Sequence, residues 1–343
     1  MIELPRKIII DRNAIKNVAD VCNSLGLGRK CLLLADKTTF KVAGEAVSKN
    51  LINHDFEVST KIIDIVNKEL AEEIAQKISK CFLVAVGGGK IIDIAKYISY
   101  NAGLQFISIP TAPSHDGIAS DRAVINDSKS YYSFKVRPPT AIVADLEIIS
   151  KTPYRLIASG CGDVISNIVA VEDWTLSKKV TGERFSDYAA AISLLAASNV
   201  LDSTETIKAL KIDGIRNLVE ALINSGIAMC IAGSSRPASG SEHLFSHALD
   251  RICLNKKSFH GEQCAVGTIL MSYLHNLDWQ RIRDALKSLG CPTNAHELGL
   301  SPEAVISALV EARNIRSDRY TILEQKKLNK NSAKELAKAV NVI

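Results

Sequence analysis

Three of the seven histidines in this 343-residue chain fall within one short run, SGSEHLFSHALDRICLNKKSFHGE, residues 239–262. His243 and His247 stand four residues apart and would project from one face of a helix. His260, in a His-Gly-Glu turn, returns a third imidazole that could converge with them on a metal or an anionic substrate. Two histidines at this spacing are as readily ordinary polar residues on a solvated helix, so the pair alone selects neither reading. Upstream, GCGDVISN (160–167) places Asp163 in the first turn of an expected helix, with Asn167 one turn later on the same face. Acidic residues favour helix starts for capping and dipole reasons. Joined with His243 and His260, however, Asp163 completes one carboxylate and two imidazoles, the three-ligand pattern of a catalytic zinc that keeps a position for water or substrate.

A second group of residues has the chemistry of phosphate binding. Gly87-Gly88-Gly89-Lys90 stands between an apolar run and a helical one. Glycines there let backbone N–H groups approach a pyrophosphate, and a helix N-terminus adds a favourable field. The spacing is neither GxGxxG nor a Walker loop, and a tight turn without a ligand would look the same. Asp36 ends another expected strand, where a carboxylate can take hydrogen bonds from an adenine ribose, or simply cap the next turn of chain. PTAPSHDGIAS (110–120) follows a further strand and concentrates hydroxyls, His115 and Asp116 in a loop whose prolines bar a helix.

Composition narrows the partners. Net charge is +5, from 42 basic and 37 acidic residues, a mild excess spread along the chain that argues against nucleic acid and would help attract a phosphorylated metabolite. Eight cysteines are scattered without a CxxC pair, as in a reduced intracellular protein. The N-terminal run has no signal-peptide core, and the longest apolar stretches, such as 188–198, are expected to be too short for a bilayer. The expectation is a soluble cytoplasmic protein with no membrane insertion.

Those side chains must be positioned by two kinds of architecture. Over residues 1–152, apolar β-type runs alternate with helical patterns: strands at 7–11, 31–36, 56–64, 81–86, 105–110 and 141–146, and helices from about 42, over 70–80 and over 90–100. Continuous apolar runs such as FLVAV fit strands covered on both faces. Residues 153–343 are helical in period. The fold class is therefore an α/β Rossmann-like N-terminal domain with a parallel sheet plus an all-α C-terminal domain, with the interdomain cleft as the default active site.

GGGKIIDIAKY, PTAPSHDGIAS, GDVISN, SGSEH with FHGE, and RSDRYTIL (316–323), taken in order, resemble the sn-glycerol-1-phosphate dehydrogenases of archaeal type. That family lies within the superfamily of glycerol dehydrogenase, iron-type alcohol dehydrogenase and dehydroquinate synthase. The resemblance runs from about Leu32 to Leu323 and includes LLLADKTTFKVAG. It implies reversible reduction of dihydroxyacetone phosphate to sn-glycerol 1-phosphate with NAD(H) or NADP(H), a step toward archaeal membrane lipids, in a homo-oligomer. It implies one zinc on Asp163, His243 and His260. The cofactor would lie on Asp36, Gly87, Gly88, Gly89, Lys90, Ile91, Asp93, Thr111, Ala112, Pro113, Ser114 and Ser120. Asp116 and His247 would face the substrate, His247 also as a proton relay. The chain departs from the family pattern after Ser120, where Asp121-Arg122-Ala123-Val124 puts the loop's detailed shape in doubt.

The chemistry expected is metal polarisation of the ketone and hydride delivery from the nicotinamide. Candidate cations for the substrate phosphate are Arg236, Lys256 and Lys257, and spacing does not choose among them. The rival readings are a glycerol dehydrogenase acting on an unphosphorylated polyol and a dehydroquinate-synthase-like lyase. Asp36 should repel a 2′-phosphate, yet family members commonly accept both cofactors.

Overall fold

The structure, a computed structural model, describes residues 2–126, 131–253 and 258–343. It divides into two compact units, Met1–Pro153 and Tyr154–Ile343.

The first unit is built on strands β1 (Lys7–Asp11), β2 (Lys30–Ala35), β3 (Glu57–Ile62), β4 (Phe82–Gly87), β5 (Phe106–Pro110), β6 (Arg122–Asn126), β7 (Tyr131–Lys135) and β8 (Ala141–Asp145). Six of them form one sheet in the order β1-β8-β5-β4-β2-β3, every neighbouring pair parallel. Every residue of β4, β5 and β8 is buried, as parallel strands covered on both faces require. β3 is one edge of the sheet and is mostly exposed, and it is shorter than the strand expected over 56–64. From β2 the chain moves outward to β3, then crosses back to lay β4 on the other side of β2. This reversal is a topological switch point, and α/β sheets bind ligands outside the strand ends there. Asp36 follows β2 at that point and Gly87 ends β4, with Leu34 opposite Ala85 in register just before them.

The antiparallel hairpin of β6 and β7 was not among the expected strands. Each arm is five residues and mixes Arg122, Ser133 or Lys135 with apolar residues, so its period is weak. The hairpin is clasped to the Gly89–Ala102 helix by Lys96, which is fully buried. Its ammonium donates to the Arg122 carbonyl at 2.6 Å and faces Asp93 Oδ1 at 3.3 Å and Ser120 Oγ at 3.4 Å. Asp93 Oδ2 in turn accepts from the Val124 amide at 3.2 Å.

Helices account for the second unit, and no strand occurs among its described residues. Two departures matter. Asp163 was expected in the first turn of a helix but lies near the end of Tyr154–Ile165, and Asn167 begins the next helix, Asn167–Thr181. The helix starts just after Pro153, and Gly160 and Gly162 lie inside it as packing residues and do not break it. The other is Ile212–Ala232, 21 residues long and apolar enough by length and composition to cross a membrane, contrary to the expectation that every such stretch is too short. Asp213, Arg216 and Glu220 interrupt its first half in sequence, and 61% of its apolar window is buried inside the structure, as in a core helix.

The Lys96 clasp gives a stability prediction. Lys96→Met leaves the Asp93 carboxylate buried without its cation, a change expected to cost about 3 kcal/mol. Urea denaturation should show the unfolding free energy lowered by that amount.

Candidate functional site

Two glycines bring the metal-type residues together. Gly162, on Tyr154–Ile165, faces Gly261, on His260–Leu274, so closely that a Cβ on Gly162 would stand 2.3 Å from the Gly261 carbonyl oxygen. A Cβ on Gly261 would stand 1.8 Å from the Ser159 carbonyl oxygen. Only glycine permits this approach. Asp163 and His260, the neighbours of the two glycines, are thereby set side by side, with Asp163 Oδ1 3.6 Å from His260 Nε2.

His243 arrives on a third helix, Ser241–Ile252, whose start is fixed by buried polar contacts. Asp173 Oδ2 accepts from the Ser241 amide at 2.6 Å, while its Oδ1 takes the Ile322 amide and His275 Nε2. Arg319, its pKa drawn down to about 9 mainly by burial, donates to Ser239 and Ser235 just upstream. Glu242, wholly buried, accepts from the Gly240 amide at 2.7 Å and contacts His243 Nδ1 at 2.8 Å. That contact keeps a ring proton on Nδ1, so that Nε2 is the nitrogen whose lone pair becomes available once the ring is neutral. His243 Nε2 lies 3.8 Å from Asp163 Oδ1. Burial disfavours the protonated His243 ring, but the Cys264 thiol and Glu242 outweigh it and hold its pKa well above the ordinary histidine range.

These side chains fit a divalent metal. Zinc bonds of about 2.0–2.2 Å to nitrogen and oxygen put tetrahedral donors about 3.4 Å apart. The observed spacings of 3.6 and 3.8 Å need only a few tenths of an ångström of closure. Cys264, one turn after His260, joins Asp163, His243 and His260 in a group whose donor atoms all lie within 4.8 Å of one another. Its part in the cluster was missed in the sequence, although His260 and Cys264 have the same four-residue spacing that drew attention to His243 and His247. His247 is outside the group: its ring centroid is 6.4 Å from that of His243 and 6.1 Å from that of His260, with Nδ1 turned toward Asp250 at 3.9 Å.

In the first unit, the residues singled out for phosphate and ribose divide by what they touch. Asp36 Oδ1 caps a short helix, accepting from Thr38 and Thr39 amides at 2.8 Å each, and neither bond engages Oδ2. Gly87 is covered by the buried Ile91 side chain, and a Cβ on Gly89 would stand 1.6 Å from His115 Nε2. A Cβ on Gly88 would meet nothing within 4 Å. Gly88 therefore opens the first turn of the Gly89–Ala102 helix, where the Ile91 and Ile92 amides donate back to the Gly88 carbonyl and the Gly89 and Lys90 amides precede them, while Lys90 is exposed beside it. Thr111 is held by its amide to the Gly87 carbonyl at 3.1 Å, and Ala112 and Pro113 are buried beside it. Ser114 and Asp116 are half-exposed, whereas Asp93 and Ser120 are buried on Lys96. Arg236 is held in a bidentate pair with Glu183 and donates to the Tyr320 carbonyl, while its buried Nη1 has no hydrogen-bond partner among the described residues. Lys256 and Lys257 lie outside the described residues.

Residues 9–153 match the family model described as iron-containing alcohol dehydrogenase. The chain is 46% identical to a glycerol-1-phosphate dehydrogenase [NAD(P)+] of Pyrococcus abyssi, over 100% of this chain and 99% of that protein. The same values hold for the protein of that name from Pyrococcus horikoshii. The fold is similar to the crystal structure of glycerol dehydrogenase from Schizosaccharomyces pombe, with a TM-score of 0.84 at 21% identity, covering 99% of this chain and 90% of that one.

The helix contact and the Glu242 bond both predict measurable losses. Gly261→Ala forces the two helices apart; about 2 kcal/mol of stability should go, with most of the bound zinc, read by thermal unfolding and metal analysis after dialysis. Glu242→Gln should weaken zinc binding about 10–100-fold in chelator competition, since it removes the charged partner of the ligating imidazole. In the wild-type protein His243 must lose its proton to bind, so apparent zinc affinity should climb as pH rises through the neutral range.

Proposed function

Since the chain belongs to the glycerol-1-phosphate dehydrogenase family, we propose that it catalyses the reversible NAD(P)H-linked reduction of dihydroxyacetone phosphate to sn-glycerol 1-phosphate. The observation that carries the reading is the Asp163–His243–His260 cluster, in a chain that also places an open glycine turn at the switch point of a parallel sheet. We further propose zinc as the metal and the glycerophosphate backbone of archaeal-type membrane lipids as the product's destination. The domain limits proposed from the sequence, 1–152 and 153–343, separate the dinucleotide-binding part from the metal- and substrate-binding part.

Zinc, when bound, supplies Lewis-acid polarisation of the substrate carbonyl, and the nicotinamide supplies the hydride. The residues do the rest. Gly88 leaves room over the first-turn amides for the dinucleotide phosphates, and the exposed Lys90 adds positive charge beside them. The Oδ2 atom that the Asp36 cap leaves unengaged accepts a ribose hydroxyl, and its charge favours NADH over NADPH. His115, packed on Gly89, holds the Ser114–Asp116 loop against the glycine turn. Asp163, His243 and His260 each present one donor atom, with Nε2 of His243 made available by Glu242. His247, a half-exposed imidazole beside this set, is placed to hydrogen-bond the substrate and to deliver the proton that the reduced oxygen requires. Asp116 holds a substrate hydroxyl.

NADH consumption is the direct test. Dihydroxyacetone phosphate should be reduced with net loss of NADH absorbance, and chelation should abolish turnover until zinc is restored. Chiral resolution should return sn-glycerol 1-phosphate. An equal rate with unphosphorylated dihydroxyacetone would indicate a polyol dehydrogenase instead, and turnover without net NADH loss a lyase. His247→Ala should lower kcat by about 100-fold or more while leaving bound zinc in place.

A further inference from the structure

Resting on the reading that Asp163, His243 and His260 hold a metal, we propose that Cys264 is a fourth, thiolate donor to the same ion. Cys264 follows His260 by one turn of the same helix and is fully buried. Its Sγ stands 3.5 Å from His260 Nε2, the same nitrogen that faces Asp163 Oδ1 at 3.6 Å. A zinc–sulfur bond of about 2.3 Å and a zinc–nitrogen bond of about 2.0 Å set their donors about 3.5 Å apart at a tetrahedral angle. The sulfur thus already stands at ligand spacing from His260, and no donor in the group is farther than 4.8 Å from another. Among the described residues no second cluster of His, Cys, Asp and Glu is gathered this way.

The competing role is that of a small apolar filler behind the imidazole, which is how buried thiols commonly serve. A filler needs volume and packs as well against ring carbons. Cys264 instead lies nearer to the ligating nitrogen, at 3.5 Å, than to Nδ1, at 4.0 Å. Nδ1 is already in contact with Ser246 Oγ at 3.1 Å, which leaves Nε2 as the atom for the metal side.

The binding step balances simply. The S–H bond breaks, its proton leaves to solvent, and the sulfur lone pair forms the bond to the metal; nothing is oxidised or reduced. One carboxylate and one thiolate together neutralise a dication. The soft sulfur also favours zinc over a harder ion, which bears on metal choice in a chain whose first unit matches an iron-containing family model. Thiolate ligation is compatible with hydride-transfer chemistry, and catalytic zinc can expand to five ligands when the substrate oxygen arrives.

Zinc-edge X-ray absorption on the zinc-loaded full chain decides the point. The expected result is one sulfur at about 2.3 Å beside nitrogen and oxygen at about 2.0 Å. With cobalt(II) in place of zinc, a thiolate-to-metal charge-transfer band should appear, and Cys264→Ser should remove it while the visible ligand-field bands persist. A shell of nitrogen and oxygen alone, in protein that still reduces dihydroxyacetone phosphate, overturns the Cys264 assignment and leaves the dehydrogenase reading intact. A chain that binds neither zinc nor cobalt overturns both. Should Cys264→Ser fail to fold, the wild-type zinc spectrum is sufficient by itself.

Discussion

The contact between Gly162 and Gly261 fixes how Asp163 and His260 stand to each other, and the rest of the candidate metal cluster is assembled on that pair. Two helices far apart in sequence, Tyr154–Ile165 and His260–Leu274, approach until any side chain at either glycine would strike backbone. Backbone cannot give way as the end of a flexible side chain can, so the approach tolerates only glycine at these positions. Asp163 and His260 are adjacent in sequence to the two glycines, and their separation is inherited from the backbone contact. The third helix is fixed by different means. Asp173 gathers Ser241, Ile322 and His275, and Glu242 orients His243 from the next residue. Polar groups buried this deeply are costly unless paired, which makes the network rigid where the metal needs rigidity.

The first unit solves a different problem. Backbone amides at the glycine turn lie open beyond the strand ends only if the neighbouring loop carrying Thr111 to Ser120 does not collapse into them. The structure meets both demands with neighbouring residues. Gly88 has space above it and Gly89 accommodates the His115 ring, so one glycine keeps the turn open and the next seats the loop. Lys96, drawn into the interior by Asp93 and the Arg122 carbonyl, anchors the far end of that loop and the hairpin after it. Asp93 and Ser120 both meet Lys96, so the start of the helix after the glycine turn, the end of the loop and the hairpin are tied to one buried ammonium.

Much of this was legible in the sequence because its signals were local. Continuous apolar runs marked β2, β4, β5 and β8, and the Gly87–Lys90 turn sat between a strand and a helix as expected. What was not legible depends on distant packing. Gly160 and Gly162 look like helix breakers in a one-dimensional pattern, so Asp163 was assigned to a helix start; the structure shows glycine used for closeness, and Asp163 near a helix end. The β6–β7 hairpin owes its place to Lys96, a contact no periodicity announces. The pairing of Arg236 with Glu183, 53 residues away in sequence, was likewise invisible to spacing.

The two histidines that share a helix face show why spacing by itself misleads. Imidazoles one turn apart can bind one metal only if both rings lean toward a common point. Glu242 prevents this by taking hold of His243 Nδ1, which aims Nε2 at Asp163 and His260 on the neighbouring helices. His247 has Asp250 near its own Nδ1, and its ring centroid stays more than 6 Å from either of the other two. A metal drawn to the buried carboxylate of Asp163 would thus collect donors from three helices, with the second histidine of the pair outside the set. In this arrangement the contact that turns His243 into the cluster also leaves His247 apart from it. The different surroundings of two otherwise equivalent rings follow from one buried carboxylate beside one of them.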